Sequence, residues 1–272
     1  MKTNAAIIIA TITLLILSCN NNNAKDPVVE ASNKIAYPPN IQNLIAKLNA
    51  QPDSNKVRVK LAFALDSIGD FTNALKQIDT AVKKDTGNNL LWINRGNIAE
   101  DAKDTLMAME SYTKAIRIYE TPDAMLWLAR LYAEKQNPRA LLITSRIKAL
   151  ALGKDYDAHS AYIAGIYYAR TGKRPEAVQK FDECIANNYT YMEAYIEKGL
   201  VYFDNRQFNE ALKIFQFAAT VNNLYADAYY YQARCYEMTN KKDSAIQKFQ
   251  QSLGLDKTLA EAHDGLKRLG AE

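Results

Sequence analysis

The chain has 272 residues and a net charge of +4, with 34 Lys and Arg against 30 Asp and Glu. So small an imbalance argues against the basic stripe of a nucleic-acid binder. A 48% hydrophobic and 24% charged composition is ordinary for a soluble fold, and ten Gly and seven Pro among many strong helix formers point to an all-α one.

In chain order, Lys2 and the apolar run Ala5–Leu17 come first. The run is too short to span a bilayer, which takes about 20 residues, and fits the hydrophobic core of a secretory signal peptide. It ends in Ser18-Cys19, followed at once by Asn20–Asn23. A small residue before Cys at the end of such a segment resembles the bacterial lipobox. The resemblance implies cleavage after residue 18, lipidation of Cys19 and stable anchoring by several acyl chains. Residues 19–40, with their Asn run, Pro27, Pro38 and Pro39, read as a flexible tether of roughly 25 Å. Ile41–Ala50 has helical apolar spacing and ends at Pro52-Asp53-Ser54, so residues 41–54 are expected to form an N-terminal capping helix.

From residue 55 a helix–turn–helix pattern recurs about every 34 residues, at 55–88, 89–121, 122–157, 158–191, 192–225 and 226–259. A small residue marks the first helix of each copy: Ala62, Gly96, Ala129, Gly165, Gly199 and Ala233. The clearest copy carries Tyr195, Gly199 and Tyr202 on its first helix and Ala211, Phe215 and Ala218 on its second. An aromatic needs a hole, and Gly or Ala lets a neighbouring helix approach closely enough to make one. The third copy is two residues longer than the 34-residue period and lacks a clear aromatic on its second helix, and the first has Arg58 where an aromatic is usual. Each turn holds a polar pair such as Gly69-Asp70, Lys103-Asp104 or Gly172-Lys173. Residues 260–272 form a C-terminal capping helix with a polar outer side.

These residues resemble the tetratricopeptide repeat (TPR) family. The resemblance implies an all-α, right-handed superhelix (α-solenoid) of about six repeats, a non-catalytic role and protein partners. Together with Cys19 it implies a lipid-anchored scaffold of the bacterial cell envelope, at the outer membrane and facing the periplasm. Lipidated TPR proteins include pilus secretin pilotins, barrel-assembly accessories and adaptors of peptidoglycan hydrolases. An alternative is a SusD-like glycan- or ligand-binding lipoprotein, but those are longer and carry a large insertion that is absent here.

No catalytic or metal constellation stands out, and neither cofactor nor metal is expected. His159 and His263 are far apart and read as exposed polar side chains. Cys184 and Cys235 lie two copies apart, too far for a disulfide, and read as small buried residues. Glu100, Asp101 and Asp123 are the only acidic candidates for chemistry. What remains is surface. In stacked helical hairpins the first helices line the concave side. Inward positions beyond the repeat core include Asp66, Ile93, Ile166 and Ile196. The partner-binding set expected there is Phe63, Arg130, Tyr162, Arg170, Leu200, Phe203, Tyr230 and Arg234, because Arg and aromatic residues concentrate at binding hot spots.

Overall fold

The computed structural model describes residues 37–271, and within them every regular element is an α-helix. The signal segment, Cys19 and most of the expected tether lie outside these residues. The helices are α1 (Pro39–Ala50), α2 (Asn55–Asp66), α3 (Phe71–Lys84), α4 (Asn89–Asp101), α5 (Thr105–Ile118), α6 (Pro122–Glu134), α7 (Arg139–Ala149), α8 (Lys154–Arg170), α9 (Arg174–Asn187), α10 (Met192–Asp204), α11 (Phe208–Val221), α12 (Ala226–Met238), α13 (Lys242–Leu255) and α14 (Ala260–Arg268). No helix among the described residues is long and apolar enough to cross a membrane.

Local chemistry sets the helix ends. Ser54, Asp70, Asn88 and Asp104 cap α2, α3, α4 and α5 by accepting a hydrogen bond from a backbone N–H of the first turn. Every first helix of a repeat ends in the same reversal. One residue takes a positive φ, and the next donates its N–H back to a carbonyl five residues earlier: Asp70 to Leu65, Asp104 to Ala99, Asn137 to Tyr132, Lys173 to Tyr168, Gln207 to Tyr202 and Lys241 to Tyr236, all at 2.8–3.0 Å. Gly69 and Gly172 suit that conformation, but Lys103, Gln136 and Arg206 adopt it too. The closing hydrogen bond and the packed helices on either side over-determine those turns.

Packing couples the two helices of a repeat through a contact sixteen residues apart. Gly96, Gly165 and Gly199 lie against the rings of Tyr112, Phe181 and Phe215, where an added Cβ would come within 2.4, 2.5 and 2.2 Å of a ring atom. All three rings are essentially fully buried. Phe249 has Ala233 sixteen residues before it, and on its far side it meets Gly265 of α14. In the first copy, Arg58 is buried and donates to Gln77 Oε1 and to the Pro52 carbonyl, both at 2.8 Å.

Two expectations change at the ends of the repeats. Tyr37, placed in the tether, donates a 2.6 Å hydrogen bond to Asp70 of the first repeat, and α1 starts at Pro39. Within the array, α8 begins eleven residues before Gly165, whereas α4 and α10 begin seven residues before Gly96 and Gly199. The expected boundary at 157/158 therefore falls inside α8. The preceding helix, α7, is the shortest second helix, with 11 residues against 14 in each of the other five. The two surplus residues of the third copy and the residues released by the short α7 together give α8 an extra N-terminal turn. No aromatic of α7 wedges α6 away from α8, and those two helices pack directly on each other.

Replacing Gly199 with Val should lower stability by about 1–3 kcal/mol through overpacking against Phe215. Thermal melts of the variant should move down although Val adds apolar surface. An unchanged melting temperature would show that the two helices can separate freely.

Candidate functional site: an aromatic cavity on the inner face

The curvature of the array follows from which helices touch. First helices meet first helices, α2 on α4, α6 on α8, α8 on α10 and α10 on α12, while no second helix packs comparably on the next second helix. The first helices therefore sit on the shorter, inner circumference, and their free sides form the concave face.

Arg130, Arg170 and Arg234 are expected there as free binding residues, but each is in an ion pair. Arg130 of α6 pairs with Glu100 of α4. Arg170 of α8 bridges Glu134 of α6 and Glu197 of α10, at 3.0 and 3.1 Å. Arg234 pairs with Glu237, which also accepts from Arg268 of α14 at 2.9 Å. Except for the pairing of Arg234 with Glu237 within α12, these contacts cross between successive first helices. They form a discontinuous charged ladder along the groove, each partly exposed pair worth little alone.

The apolar candidates divide as well. Phe63 is 39% exposed near the N-terminal end of the groove. Tyr230 is buried, 5.8 Å from Phe249 between ring centroids, and its hydroxyl accepts from Arg234 at 3.0 Å, so it supports the groove and is not an open contact. Ile93, Ile166 and Ile196 are also buried, because neighbouring first helices lie close enough to cover them. Phe203 is half-buried, with the Arg234 guanidinium 5.7 Å above its ring. Leu200 and Arg170 line a polar recess with Glu197 and Asp204.

Only Arg130 and Tyr162 of the expected set come together in a well-formed cavity. It has a volume of about 410 Å³, lies between α6 and α8, and is closed at one side by Tyr191. Trp127, Tyr156, His159, Tyr162 and Tyr191 make most of its wall, Leu126 and Ile163 contribute apolar surface, and Asp123 and Asp155 stand at the first turns of the two helices. The Tyr162 and Tyr191 rings are 5.0 Å apart, and His159 meets Tyr191 edge-on at 5.1 Å while its Nδ1 shares a 2.9 Å hydrogen bond with the Tyr191 hydroxyl. The Tyr156 hydroxyl donates to Asp123 at 2.9 Å. Burial above all raises the pKa values of the Tyr162 and Tyr191 phenols, and nearby Glu193 adds to both shifts, so both hydroxyls stay protonated. The cavity exists because α8 has its extra turn, which carries Asp155 and Tyr156 over α6. Its volume is at the lower end of the range for small-ligand sites. Among the described residues, no group of three or more His, Cys, Asp and Glu is placed to hold a metal ion.

Sequence comparison bears on the family. Models of the tetratricopeptide repeat match residues 91–122 and 196–260. Those two segments carry tetratricopeptide repeats. Solved TPR structures share its architecture. A tetratricopeptide repeat protein from Parabacteroides merdae superposes with a TM-score of 0.71 at 17% identity, over 85% of this chain and 91% of that one. PilW, described as a widely conserved type IV pilus biogenesis factor, gives 0.61 at 20% identity, over 78% of this chain and 98% of PilW. Yeast Tom70 gives 0.56 at 16% identity, over 85% and 57%. At these identities the likeness is one of fold. Among curated proteins, the probable UDP-N-acetylglucosamine–peptide N-acetylglucosaminyltransferase SPINDLY of Hordeum vulgare is 23% identical over 167 residues. The match takes in 59% of this chain and only 18% of that enzyme. TPR folds commonly mediate protein–protein interactions, and their curvature builds the surface that does so.

Trp127, Tyr156, His159 and Tyr191 escape a reading of the inner face from the sequence. Their signal in the sequence is the surplus length of the third copy.

A second feature of the TPR groove is titratable. Asp66 at the end of α2 faces Asp101 at the end of α4, and burial first, then the Asp101 carboxylate, pushes its pKa up to about 6. The folded value lies above the unfolded one, so the stability contributed by neutral Asp66 is complete below about pH 4 and is lost as pH rises through about 6. Asp66→Asn should remove this slope. The melting temperature of the variant relative to the wild-type chain should rise between about pH 4 and pH 7. A pH-independent difference would contradict the coupling.

Proposed function

We propose that the protein is a non-catalytic scaffold of the bacterial cell envelope that grips a peptide or helix of a protein partner on its concave face. The observation that carries this reading is the cavity between α6 and α8. There the repeat pattern is broken to open a largely apolar recess, and rigid aromatic walls of this kind anchor interfaces at low entropic cost. The ladder Glu100·Arg130, Glu134·Arg170·Glu197 and Glu237·Arg268 stiffens the first helices beside it. A preorganised groove spends less of its interaction energy on ordering itself.

Anchoring belongs to the same proposal. A signal-type apolar run ending at Ser18-Cys19 fits a lipid-modified N-terminus, and Asn rather than Asp after Cys19 fits delivery to the outer membrane. The lipid would hold the groove near the membrane, where a pilus, barrel-assembly or peptidoglycan component could be the partner. The likeness to PilW supports the first of these only at the level of fold.

Two experiments test the proposal in the full chain. Cys19→Ser should shift the protein from the membrane to the soluble fraction after signal cleavage, and a cleaved variant that stays on membranes would rule out the lipid anchor. Crosslinking in native membranes, followed by affinity capture, should recover a partner. Trp127→Ala, or Tyr156→Ala at the more open rim, should reduce that recovery by about thirtyfold if the residue is a hot spot, with helical circular dichroism unchanged. Undiminished recovery with both variants would move the binding site off this cavity.

A further inference from the structure

The chemistry of the cavity identifies what it holds. Its walls present the π-faces and edges of Trp127, Tyr156, Tyr162 and Tyr191, a set of surfaces that attract a cation through the ring quadrupole, most strongly when water is excluded. Charge at the rim points the same way. Asp123 and Asp155, exposed in the first turns of α6 and α8, both line the cavity. One oxygen of Asp123 accepts from Tyr156, which orients the carboxylate without neutralising it. Arg130 is the only formal cation in the lining, and the Glu100 carboxylate already answers its charge. The lining together with Glu100 thus carries three carboxylates and one guanidinium, on a chain whose overall charge is +4. The acidity is local to this site.

Asp123 and Asp155 also stabilise the helix N-termini they occupy. That role explains two acids in first turns, but not four aromatic residues gathered between them. An anionic group would have to displace Glu100 from Arg130 and approach two like charges.

We propose that this cavity takes a cationic side chain, Arg or Lys, from the segment of the partner that lies in the groove. The inference rests on the scaffold reading and narrows it: the partner presents a basic residue flanked by positions that fit the half-apolar groove. The side chain enters past the rim carboxylates Asp123 and Asp155, its aliphatic stem lies on Leu126 and Ile163, and its charged head lies against the rings of Trp127 and Tyr162. Arg suits the site better than Lys because its planar guanidinium stacks on rings and is less strongly hydrated.

The test uses the folded mature chain with Trp92→Phe, so that Trp127 is the one remaining tryptophan of the two in the sequence. The probes are acetylated and amidated pentapeptides Gly-Ser-Xaa-Ser-Gly, in which Xaa is Arg, Lys, citrulline or Glu. The Arg peptide should give a saturable change in Trp127 emission. Citrulline, of nearly the same shape but neutral, should bind at least about tenfold more weakly. Asp123→Asn with Asp155→Asn should weaken the Arg peptide about tenfold and flatten its salt dependence, leaving citrulline unchanged. Glu100→Gln, which releases the Arg130 charge from a third helix, should weaken it in the same direction while circular dichroism holds. Equal binding of Arg and citrulline, preferential binding of Glu, or no saturable change with any peptide up to about 10 mM would each overturn the assignment. If the peptides fail while Trp127→Ala still abolishes capture from native membranes, only the cationic assignment falls. If native capture is also insensitive to the cavity, the scaffold reading of this site falls with it.

Discussion

The contact between a residue without a side chain and an aromatic ring sixteen positions later holds the array together. Gly199 against Phe215 sets how closely α10 and α11 approach, and Gly165 against Phe181 does the same for α8 and α9. Because the ring occupies the space a Cβ would need, the distance between the helices is fixed by contact rather than by general apolar attraction. Repeating one distance and one crossing yields a regular curve, and the curve brings the first helices together along the inside. The inner face is therefore a by-product of the packing that hides Phe181, Phe215 and Phe249.

Where that contact is missing and the second helix is also short, the geometry changes. The second helix of the third repeat buries Ala140, Thr144 and Ile147 and no ring, and it is a turn shorter than the others. The first helices on either side close up, and the residues saved extend α8 at its N-terminus. A departure from the repeat that looks like degeneration in the alignment of copies opens a cavity with aromatic walls. Function in repeat proteins is expected at such departures, since positions obeying the repeat are committed to the core.

Electrostatics along the groove follow from the same spacing. Successive first helices lie close enough for Arg and Glu side chains to bridge them, so charges that would otherwise be free for a ligand are spent on neighbours. Arg170, held between Glu134 and Glu197, ties three helices together. Asp66 has no such cation, and it meets the Asp101 carboxylate instead, which raises its proton affinity. A groove built this way is selective less by its total charge than by which few charges the ladder leaves unpaired.

The sequence alone determined the helical class, the 34-residue spacing and the small residue on the first helix of each copy, though not Gly265 of α14 against Phe249. These depend on periodicities of 3.6 and 34 residues, which are written along the chain. It also contains the apolar run ending at Cys19 on which the proposed anchor rests. Tertiary structure decided everything that depends on contacts between repeats. Arg130, Arg170 and Arg234 are bound in ion pairs, Ile166 and Tyr230 are covered by neighbouring helices, and His159 joins Tyr191 at the wall of a cavity. Apart from the Arg234–Glu237 pair within α12, these outcomes join residues of different helices. Each depends on how far one first helix stands from the next, and that distance is set by rings and glycines elsewhere in the stack.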